Sequence, residues 1–248
     1  MPAQTVKLLY IGGWGRSGST ILARILGQLE GFFHSGELRT LWIDGLKPQS
    51  QCGCGRLIRD CSLWRQILTH CFGSTDKIDR QTLTQLLRQC EPRTYEILTA
   101  SLWPPQARAL QSRLQPYQAV LSQLYGAIQE VTSCKVIVDD SLHPGYAYTL
   151  ASLPEIELYL VHLIRDPRAT GYSWQKRLKK GIGSYSFRDN ALGWCMRNLG
   201  VEWLASQQQG RSLRLFYEEF ALHPQSSLQK ILAFIGEEGA QLPLSAKM

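Results

Sequence analysis

A glycine-rich run near the start of the chain places the strongest constraint on its fold. The run Gly13–Thr20 reads Gly-Trp-Gly-Arg-Ser-Gly-Ser-Thr and lies between an apolar stretch at 8–11 and a helical pattern at 21–26. A strand, a glycine loop and a helix in this order form the phosphate-binding loop of many α/β proteins, where backbone amides and the helix N-terminus hold an anion. The sequence therefore predicts an anion site at the end of the first strand.

The loop differs from that of nucleotide-hydrolysing proteins at one position. Those loops read G-x-x-x-x-G-K-[ST], with a lysine on the β and γ phosphates and a hydroxyl on magnesium. Here Gly13 and Gly18 keep the spacing and Thr20 follows, but Ser19 stands at the lysine position. A triphosphate is therefore not the expected ligand, and Arg16 is able to supply the missing positive charge.

The rest of the chain alternates between strand and helix patterns. Strands are predicted near 6–12, 31–35, 135–139, 157–164 and 212–217. The runs 136–138 and 158–164 are almost continuously apolar, as expected for parallel strands covered by helices on both faces. We therefore predict an α/β fold with a P-loop-type, doubly wound parallel sheet flanked by helices.

A long segment separates the second and third predicted strands. Residues 38–132 read as mainly helical, with breaks at prolines and glycines that include Pro116. We predict a helical insertion within a single domain, 1–248, and not a second domain.

Composition narrows the class of protein. The chain has 248 residues and is 44% apolar, which argues against disorder. It contains no apolar run near the roughly 20 residues that cross a bilayer, and Met1–Lys7 does not resemble a secretory signal. A cytoplasmic location is expected. Seven cysteines, an odd number, do not predict a disulfide framework.

Four of these cysteines lie close together in the sequence. A zinc site is one interpretation of Cys52-x-Cys54 with Cys61 and Cys71, but the spacing is not a pair of C-x-x-C knuckles. A reduced, structural Cys-Gly-Cys-Gly turn is the favoured interpretation, and no metal is expected.

The net charge of +7 is concentrated in one segment. Between Arg165 and Arg188 there are seven basic residues against the single acid Asp166. Such a segment suits nucleotide phosphates, an acidic acceptor or nucleic acid, and a solvated helix face is the alternative.

Residues that directly follow parallel strands gather at one edge of the sheet, where ligands bind. Glu37 follows the second predicted strand. It is either a functional carboxylate or an ordinary acid in a first helical turn capped by Ser35.

The fourth strand is followed by Arg165-Asp-Pro-Arg. Asp166 is predicted to cap a helix that begins at Pro167. Ser173 and Arg177 are four residues apart and share a face of that helix, with Lys180 one turn further on. Together with Arg165 they predict a site for a phosphate monoester.

The two motifs together resemble the sulfotransferases that use 3′-phosphoadenosine-5′-phosphosulfate (PAPS). Arg16-Ser-Gly-Ser-Thr20 is similar to their 5′-phosphosulfate loop, and Arg165-Asp-Pro-Arg-Ala-Thr-Gly-Tyr-Ser173 is similar to their 3′-phosphate element. The likeness is greatest to tyrosylprotein-type and bacterial carbohydrate-type members. It spans about residues 6–235 and is weakest in the helical lobe.

The resemblance implies in-line transfer of the sulfuryl group from PAPS to an acceptor hydroxyl, with Glu37 as general base and no metal. It implies that Arg16 stabilises the departing phosphate and that Arg177 and Tyr217 also contact the nucleotide. The implied nucleotide-binding residues are Gly15, Arg16, Ser17, Gly18, Ser19, Thr20, Arg165, Ser173, Arg177 and Tyr217. The acceptor, whether sugar, peptide, lipid or small metabolite, and the oligomeric state stay open.

The turn after the third strand departs from the related sequences. Bacterial relatives commonly carry an Asp-Ser-Ser-Lys type turn there, whereas this chain has Leu142 at the lysine position. His143 is then a replacement cation, an alternative base or a turn residue before Pro144.

Two other function classes remain open. Residues 136–140, an apolar strand ending in Asp, are similar to a magnesium site and favour a P-loop phosphotransferase or kinase. The basic segment suits a non-catalytic polyanion or RNA binder, although nucleic acid is not the favoured partner.

Overall fold

Five strands form one sheet in the computed structural model, which describes residues 5–100, 102–178 and 185–242. The strands are β1 (Val6–Gly13), β2 (Phe32–Gly36), β3 (Val136–Leu142), β4 (Ile156–Ile164) and β5 (Ser212–Phe216). Their order is β2-β3-β1-β4-β5, and every pair is parallel. The prediction of a parallel α/β sheet is confirmed, and each strand lies within about three residues of its predicted position.

Ten α-helices connect and cover the strands of the described residues. They are α1 (Ser19–Leu26), α2 (Ser62–Phe72), α3 (Arg80–Cys90), α4 (Thr94–Ala100), α5 (Pro104–Thr132), α6 (Pro144–Ala151), α7 (Pro167–Leu178), α8 (Phe187–Gln207), α9 (Tyr217–Leu222) and α10 (Pro224–Phe234). Helices α2 to α5 form the helical segment between β2 and β3.

The strands are apolar on both faces because helices cover both faces. In β1, Leu9 and Ile11 pack in one core with residues of α1 and α10, whereas Leu8 and Tyr10 pack in a second core with α5, α6 and α8. This alternation follows from the two-residue period of a strand. The second core continues into α2 and α3, so the helical segment packs directly against the sheet.

The predicted break at Pro116 is wrong, because α5 runs through it from 104 to 132. Proline removes one backbone hydrogen bond and disfavours a helix interior. Here Leu114, Tyr117 and Leu121 are completely buried around it. Their burial offsets the cost of the proline.

Two tryptophans, Trp42 and Trp64, are buried in the core, and Trp203 is half-buried against it. All seven cysteines are free thiols. Within the described ranges, no helix combines the length and apolarity that crossing a membrane requires.

Candidate active site

The carboxyl ends of the strands form one edge, and β1 lies at its centre. The chain moves from β1 to β2 on one side of the sheet and later reaches β4 on the other. This reversal opens a crevice beside the end of β1, the usual ligand position in open parallel sheets. The glycine loop after β1 therefore occupies the predicted position.

The backbone of the glycine loop is shaped for close approach. Gly18 has a φ of 87° and precedes α1, and Arg16 has a φ of 70°, a left-handed conformation uncommon for a residue with a side chain. A Cβ on Gly18 would lie 2.5 Å from the Tyr217 ring, and one on Gly15 would lie 2.8 Å from Trp174. The loop thus lies directly against the elements after β4 and β5.

The loop hydroxyls are not equivalent. Ser17 is buried and donates its hydroxyl proton to the backbone oxygen of Trp14 at 2.7 Å, so that proton holds the loop together. Ser19 is also buried, whereas Thr20 is exposed and lines a cleft next to the loop. The N–H groups of the first turn of α1 lack acceptors within the helix and favour an anion there.

Residues from both motifs meet beside this loop. Arg16 Nε donates to Ser173 Oγ at 2.9 Å. The Arg165 guanidinium donates to the backbone oxygen of Arg16 at 2.8 Å and lies 4.2 Å from the centre of the Tyr217 ring. The structure therefore brings Arg16, Ser173, Arg165 and Tyr217 into one cluster, which we call the arginine cluster.

Two arginines after β4 have guanidinium nitrogens that make no hydrogen bond in the described part of the chain. Within the described residues, the Nε atoms of Arg165 and Arg177 are buried and have no hydrogen-bond partner. The Arg177 guanidinium lies 5.6 Å from the ring of Trp174 on the same helix. A buried guanidinium donor without an acceptor is costly, so an acceptor brought to these atoms would stabilise the site.

The start of α7 follows its sequence signals. Asp166 accepts a hydrogen bond from the backbone N–H of Arg168 at 2.7 Å, as expected of a cap. The Arg168 side chain turns back and pairs with Asp166 at 2.6 Å, away from the arginine cluster. Lys180, placed by the sequence analysis on the next turn, lies outside the described residues.

Glu37 lies across the cleft from the loop. Together with Thr20 and Asp140 it lines a cavity of about 980 Å³. Desolvation by the surrounding protein, and secondly the Asp140 carboxylate, raises the pKa of Glu37 to about 7. The side chain is open to the cleft, so we expect the shift to be fully expressed when a substrate excludes water.

Ser35 does not cap the turn that contains Glu37. It is buried, and its hydroxyl donates to the backbone oxygen of Val138 at 3.0 Å, joining β2 to β3. Ser35 lies within β2 and the turn begins only after Glu37, so the alternative in which Ser35 caps that turn is wrong. Glu37 is followed by a short 3₁₀ turn, Leu38–Thr40.

The two aspartates at the end of β3 have different surroundings. Asp139 is completely buried. It accepts hydrogen bonds from the Tyr125 hydroxyl and from both the backbone N–H and the hydroxyl of Ser141. Burial raises the pKa of Asp139 to about 7. Asp140 lines the cleft and lies 3.1 Å from His34 Nε2.

His143 is the cap of α6. Its Nδ1 lies 3.2 Å from the backbone N–H of Gly145 and 3.0 Å from a Glu91 carboxylate oxygen, so the tautomer selects one of these bonds. Burial lowers the pKa of His143 to about 4. The residues that line the cleft beside Glu37 do not include His143. This geometry favours the turn-residue interpretation.

Sequence reasoning missed a polar layer behind the loop. Glu91 receives two hydrogen bonds from Arg39, at 2.6 and 2.7 Å. Trp14 Nε1 donates to Asn190 at 2.8 Å, and the Arg197 guanidinium lies 5.8 Å from the Trp14 ring. The sequence does contain a signal for Asn190 and Arg197. They are seven residues apart, a spacing that places both side chains on one face of α8.

Arg197 adds positive charge to this edge of the sheet. Burial, and secondly repulsion by Arg39, lowers its pKa. It makes no ion pair within the part of the chain that the structure describes.

Comparison with known proteins agrees with this geometry. The model of the Sulfotransferase family matches residues 9–241. The sulfotransferase STF1 from Mycobacterium tuberculosis H37Rv shares the fold at 17% identity and a TM-score of 0.53, over 98% of this chain and 70% of that one. The sulfotransferase domain from the curacin biosynthetic pathway does so at 17% identity and a TM-score of 0.52, over 98% and 76%. No curated protein sequence matches the chain significantly.

The chain therefore belongs to the sulfotransferase family. Family membership supports sulfotransfer in general, from a sulfonate donor to an acceptor hydroxyl. The resemblance stated from the two sequence motifs is confirmed at this level.

Proposed function

We propose that the chain transfers the sulfuryl group of PAPS to an acceptor hydroxyl by in-line displacement, with Glu37 as general base. The observation that carries this proposal is the arginine cluster beside the glycine loop, with the unpartnered Nε atoms of Arg165 and Arg177. The glycine loop and the arginine cluster would supply the two anion sites that a nucleotide with phosphates at both its 3′ and 5′ positions requires.

The residues present fit such a nucleotide. Arg165, Ser173 and Arg177 would hold the 3′-phosphate, since guanidinium groups match phosphate oxygens and the Ser173 hydroxyl retains a proton to donate. The amides after Gly18, with Gly15, Ser19 and Thr20 around them, would hold the 5′ end. Tyr217 is already in contact with Arg165 and would border the nucleotide between the two sites.

Sulfuryl transfer requires a base for the attacking hydroxyl and stabilisation of the departing phosphate. Glu37 accepts the proton of the attacking hydroxyl, for which a pKa of about 7 is well suited. Arg16 and the amides at the start of α1 stabilise the negative charge that grows on the departing 5′-phosphate. When bound, PAPS supplies the sulfuryl group. A sulfuryl group carries less charge than a terminal phosphoryl group, so this scheme requires no metal.

Nucleotide binding is the first test. Adenosine 3′,5′-bisphosphate should raise the melting temperature, and ATP with magnesium should not. Arg165→Ala should weaken this binding by about 10- to 100-fold, as expected for hydrogen bonds to a charged group. Arg168→Ala is the matched control, because its side chain is 91% exposed and pairs with Asp166. Equal effects of the two variants would disprove this placement of the 3′-phosphate.

Catalysis is the second test. Radiolabelled PAPS, screened across sugar, peptide, lipid and small-metabolite acceptors, identifies the acceptor class. Glu37→Ala should abolish transfer to that acceptor while leaving the affinity for adenosine 3′,5′-bisphosphate unchanged. Full transfer by Glu37→Ala would assign the base elsewhere.

The alternatives predict different outcomes. A phosphotransferase would be stabilised by ATP and magnesium. Asp140 and Thr20 line the same cleft, as a magnesium site requires, but Asp139 is buried with its oxygens already bonded. A polyanion or RNA binder would bind nucleic acid with a steep salt dependence that survives Glu37→Ala.

A further inference from the structure

Three cysteine sulfurs converge on the wall of the cleft. The Sγ atoms of Cys52, Cys54 and Cys61 all lie within 4.8 Å of one another. Cys54 and Cys61 are 3.8 Å apart. All three residues line the same cavity as Glu37, although no step of sulfuryl transfer uses a thiol. We call this group the thiol cluster.

The local backbone forms a tight hairpin that turns two of the sulfurs to one side. Gln51 and Leu57 pair in an antiparallel bridge. Cys52 N–H donates to the backbone oxygen of Arg56 at 2.7 Å, and Gly55, with a φ of 84°, closes the turn on Cys52.

The third sulfur comes from a different element. Cys61 is buried and immediately precedes α2, at the N-terminal end of the helix dipole. The cluster therefore joins the hairpin to the first helix of the lobe. Cys71, considered with these residues from sequence alone, is not a member of the group.

The distances match tetrahedral coordination. Four sulfurs at about 2.3 Å from a zinc ion are about 3.8 Å from each other, which is the separation of Cys54 and Cys61. A disulfide joins two sulfurs at about 2.05 Å and leaves a third thiol without a role. Three convergent thiols suit a borderline-soft or soft cation.

We propose that Cys52, Cys54 and Cys61 bind one Zn²⁺ ion as thiolates, with the fourth coordination position facing the cleft. Binding releases the three thiol protons to solvent and leaves a ZnS₃ unit of charge −1, with no oxidation or reduction. Arg56 lines the same cavity and supplies nearby positive charge. The ion would hold the hairpin against α2 and so fix one wall of the cavity opened toward Glu37.

This site is independent of the proposed sulfuryl transfer, and its test does not require activity. The full-length protein, purified under reducing conditions from zinc-supplemented medium, should contain about one zinc per chain by elemental analysis. Replacement with Co²⁺ should give the thiolate charge-transfer and intense visible absorption of a tetrahedral site. Titration of the metal-free protein with zinc should release about three protons per ion.

Variants distinguish the thiol cluster from adventitious metal binding. Cys54→Ser and Cys61→Ser should each lower zinc affinity at least about tenfold, with circular dichroism showing whether the fold is kept. Cys195→Ser is the matched control for Cys54, because Cys195 is also an exposed free thiol but lies on α8. It should leave the zinc content and the Co²⁺ spectrum unchanged.

Three results would overturn the proposal. In the first, the reduced protein takes up neither zinc nor Co²⁺. In the second, Cys54→Ser leaves metal binding unaffected. In the third, the protein forms a Cys54–Cys61 disulfide and binds no metal when reduced. The last result, seen by mass spectrometry, would assign the pair to redox chemistry. None of them changes the expected binding of adenosine 3′,5′-bisphosphate, so failure here and failure of the proposed function are separable.

Discussion

Arg16 and Ser173, 157 residues apart in sequence, share a hydrogen bond of 2.9 Å from the guanidinium Nε to the hydroxyl oxygen. This bond ties the glycine loop after β1 to α7. It links two motifs that the sequence analysis placed at opposite ends of one nucleotide. The Ser173 hydroxyl accepts from Arg16 and keeps its own proton available for an anion.

Ser173→Ala should therefore weaken nucleotide binding without affecting the fold. Loss of one hydrogen bond to phosphate and release of Arg16 should raise the Kd of adenosine 3′,5′-bisphosphate by about 10- to 50-fold, measured by isothermal titration calorimetry. The melting temperature without nucleotide should stay the same, because the Arg16 side chain is exposed and Ser173 is half-buried outside the hydrophobic cores. Ser206→Ala, at an exposed position on α8, should leave the Kd unchanged. An unchanged Kd in Ser173→Ala would remove Ser173 from the site.

Gly18→Ala should lower both stability and nucleotide affinity. The new Cβ would be 2.5 Å from the Tyr217 ring, at a φ of 87°. Gly73→Ala is the matched control for the backbone, since Gly73 has a φ of 75° and open space around it. Both variants should lose about 1–2 kcal/mol of unfolding free energy in denaturant titrations. Only Gly18→Ala should also weaken nucleotide binding, because displacement of Tyr217 should disturb Arg165. Equal nucleotide affinities of Gly18→Ala and Gly73→Ala would contradict this.

The raised pKa of Glu37 predicts a pH dependence of catalysis. The base is active when deprotonated, so the rate of transfer should rise as the pH passes about 7 and then level off. Carbon-13 NMR of labelled glutamate, recorded with adenosine 3′,5′-bisphosphate bound so that water is excluded from the cleft, should show one carboxyl that titrates near pH 7 and disappears in Glu37→Gln. A Glu37 midpoint near 4.5, its ordinary value, would remove the physical basis for this role.

Asp139 should make the protein less stable as the pH rises. Its pKa is raised to about 7 in the fold from 3.8, so the folded chain binds a proton that the unfolded chain has lost between these values. The group's stabilising contribution is thus complete below about pH 4 and falls as the pH rises toward 7. Glu37 contributes in the same direction. In the Glu37→Gln variant, denaturant titrations should give a lower free energy of unfolding at pH 7 than at pH 5. Adding Asp139→Asn to this variant should abolish the difference. The same difference in both proteins would refute the assignment.

The strands and the two anion-binding motifs were predictable because their signals are local. A glycine loop between an apolar strand and a helix needs only contiguous residues, and so does Asp166-Pro167 at the start of α7. The near-continuous apolar runs of β3 and β4 also indicated helices on both faces. These signals were sufficient to predict a parallel sheet and the edge at which its ligand binds.

Local signals failed where a distant element supplies the partner. A cap by Ser35 is one of two interpretations that the local sequence leaves open for the turn at Glu37, but Ser35 lies within β2 and its hydroxyl donates to β3. Pro116 was read as a break, but burial of its neighbours keeps α5 continuous. The spacing of Cys52, Cys54 and Cys61 did not favour a metal site, yet the hairpin and α2 bring their sulfurs together.

By itself, the sequence determined the order of strands and helices, the anion-binding character of the first loop and the family resemblance, because each depends on residues that are neighbours along the chain. Only the tertiary structure decided which groups share a surface: Arg16 with Ser173, Arg165 with Tyr217, and Glu37 with Asp140. The physical reason is that hydrogen bonds, desolvation and charge act over a few ångströms of space, whatever the separation in sequence.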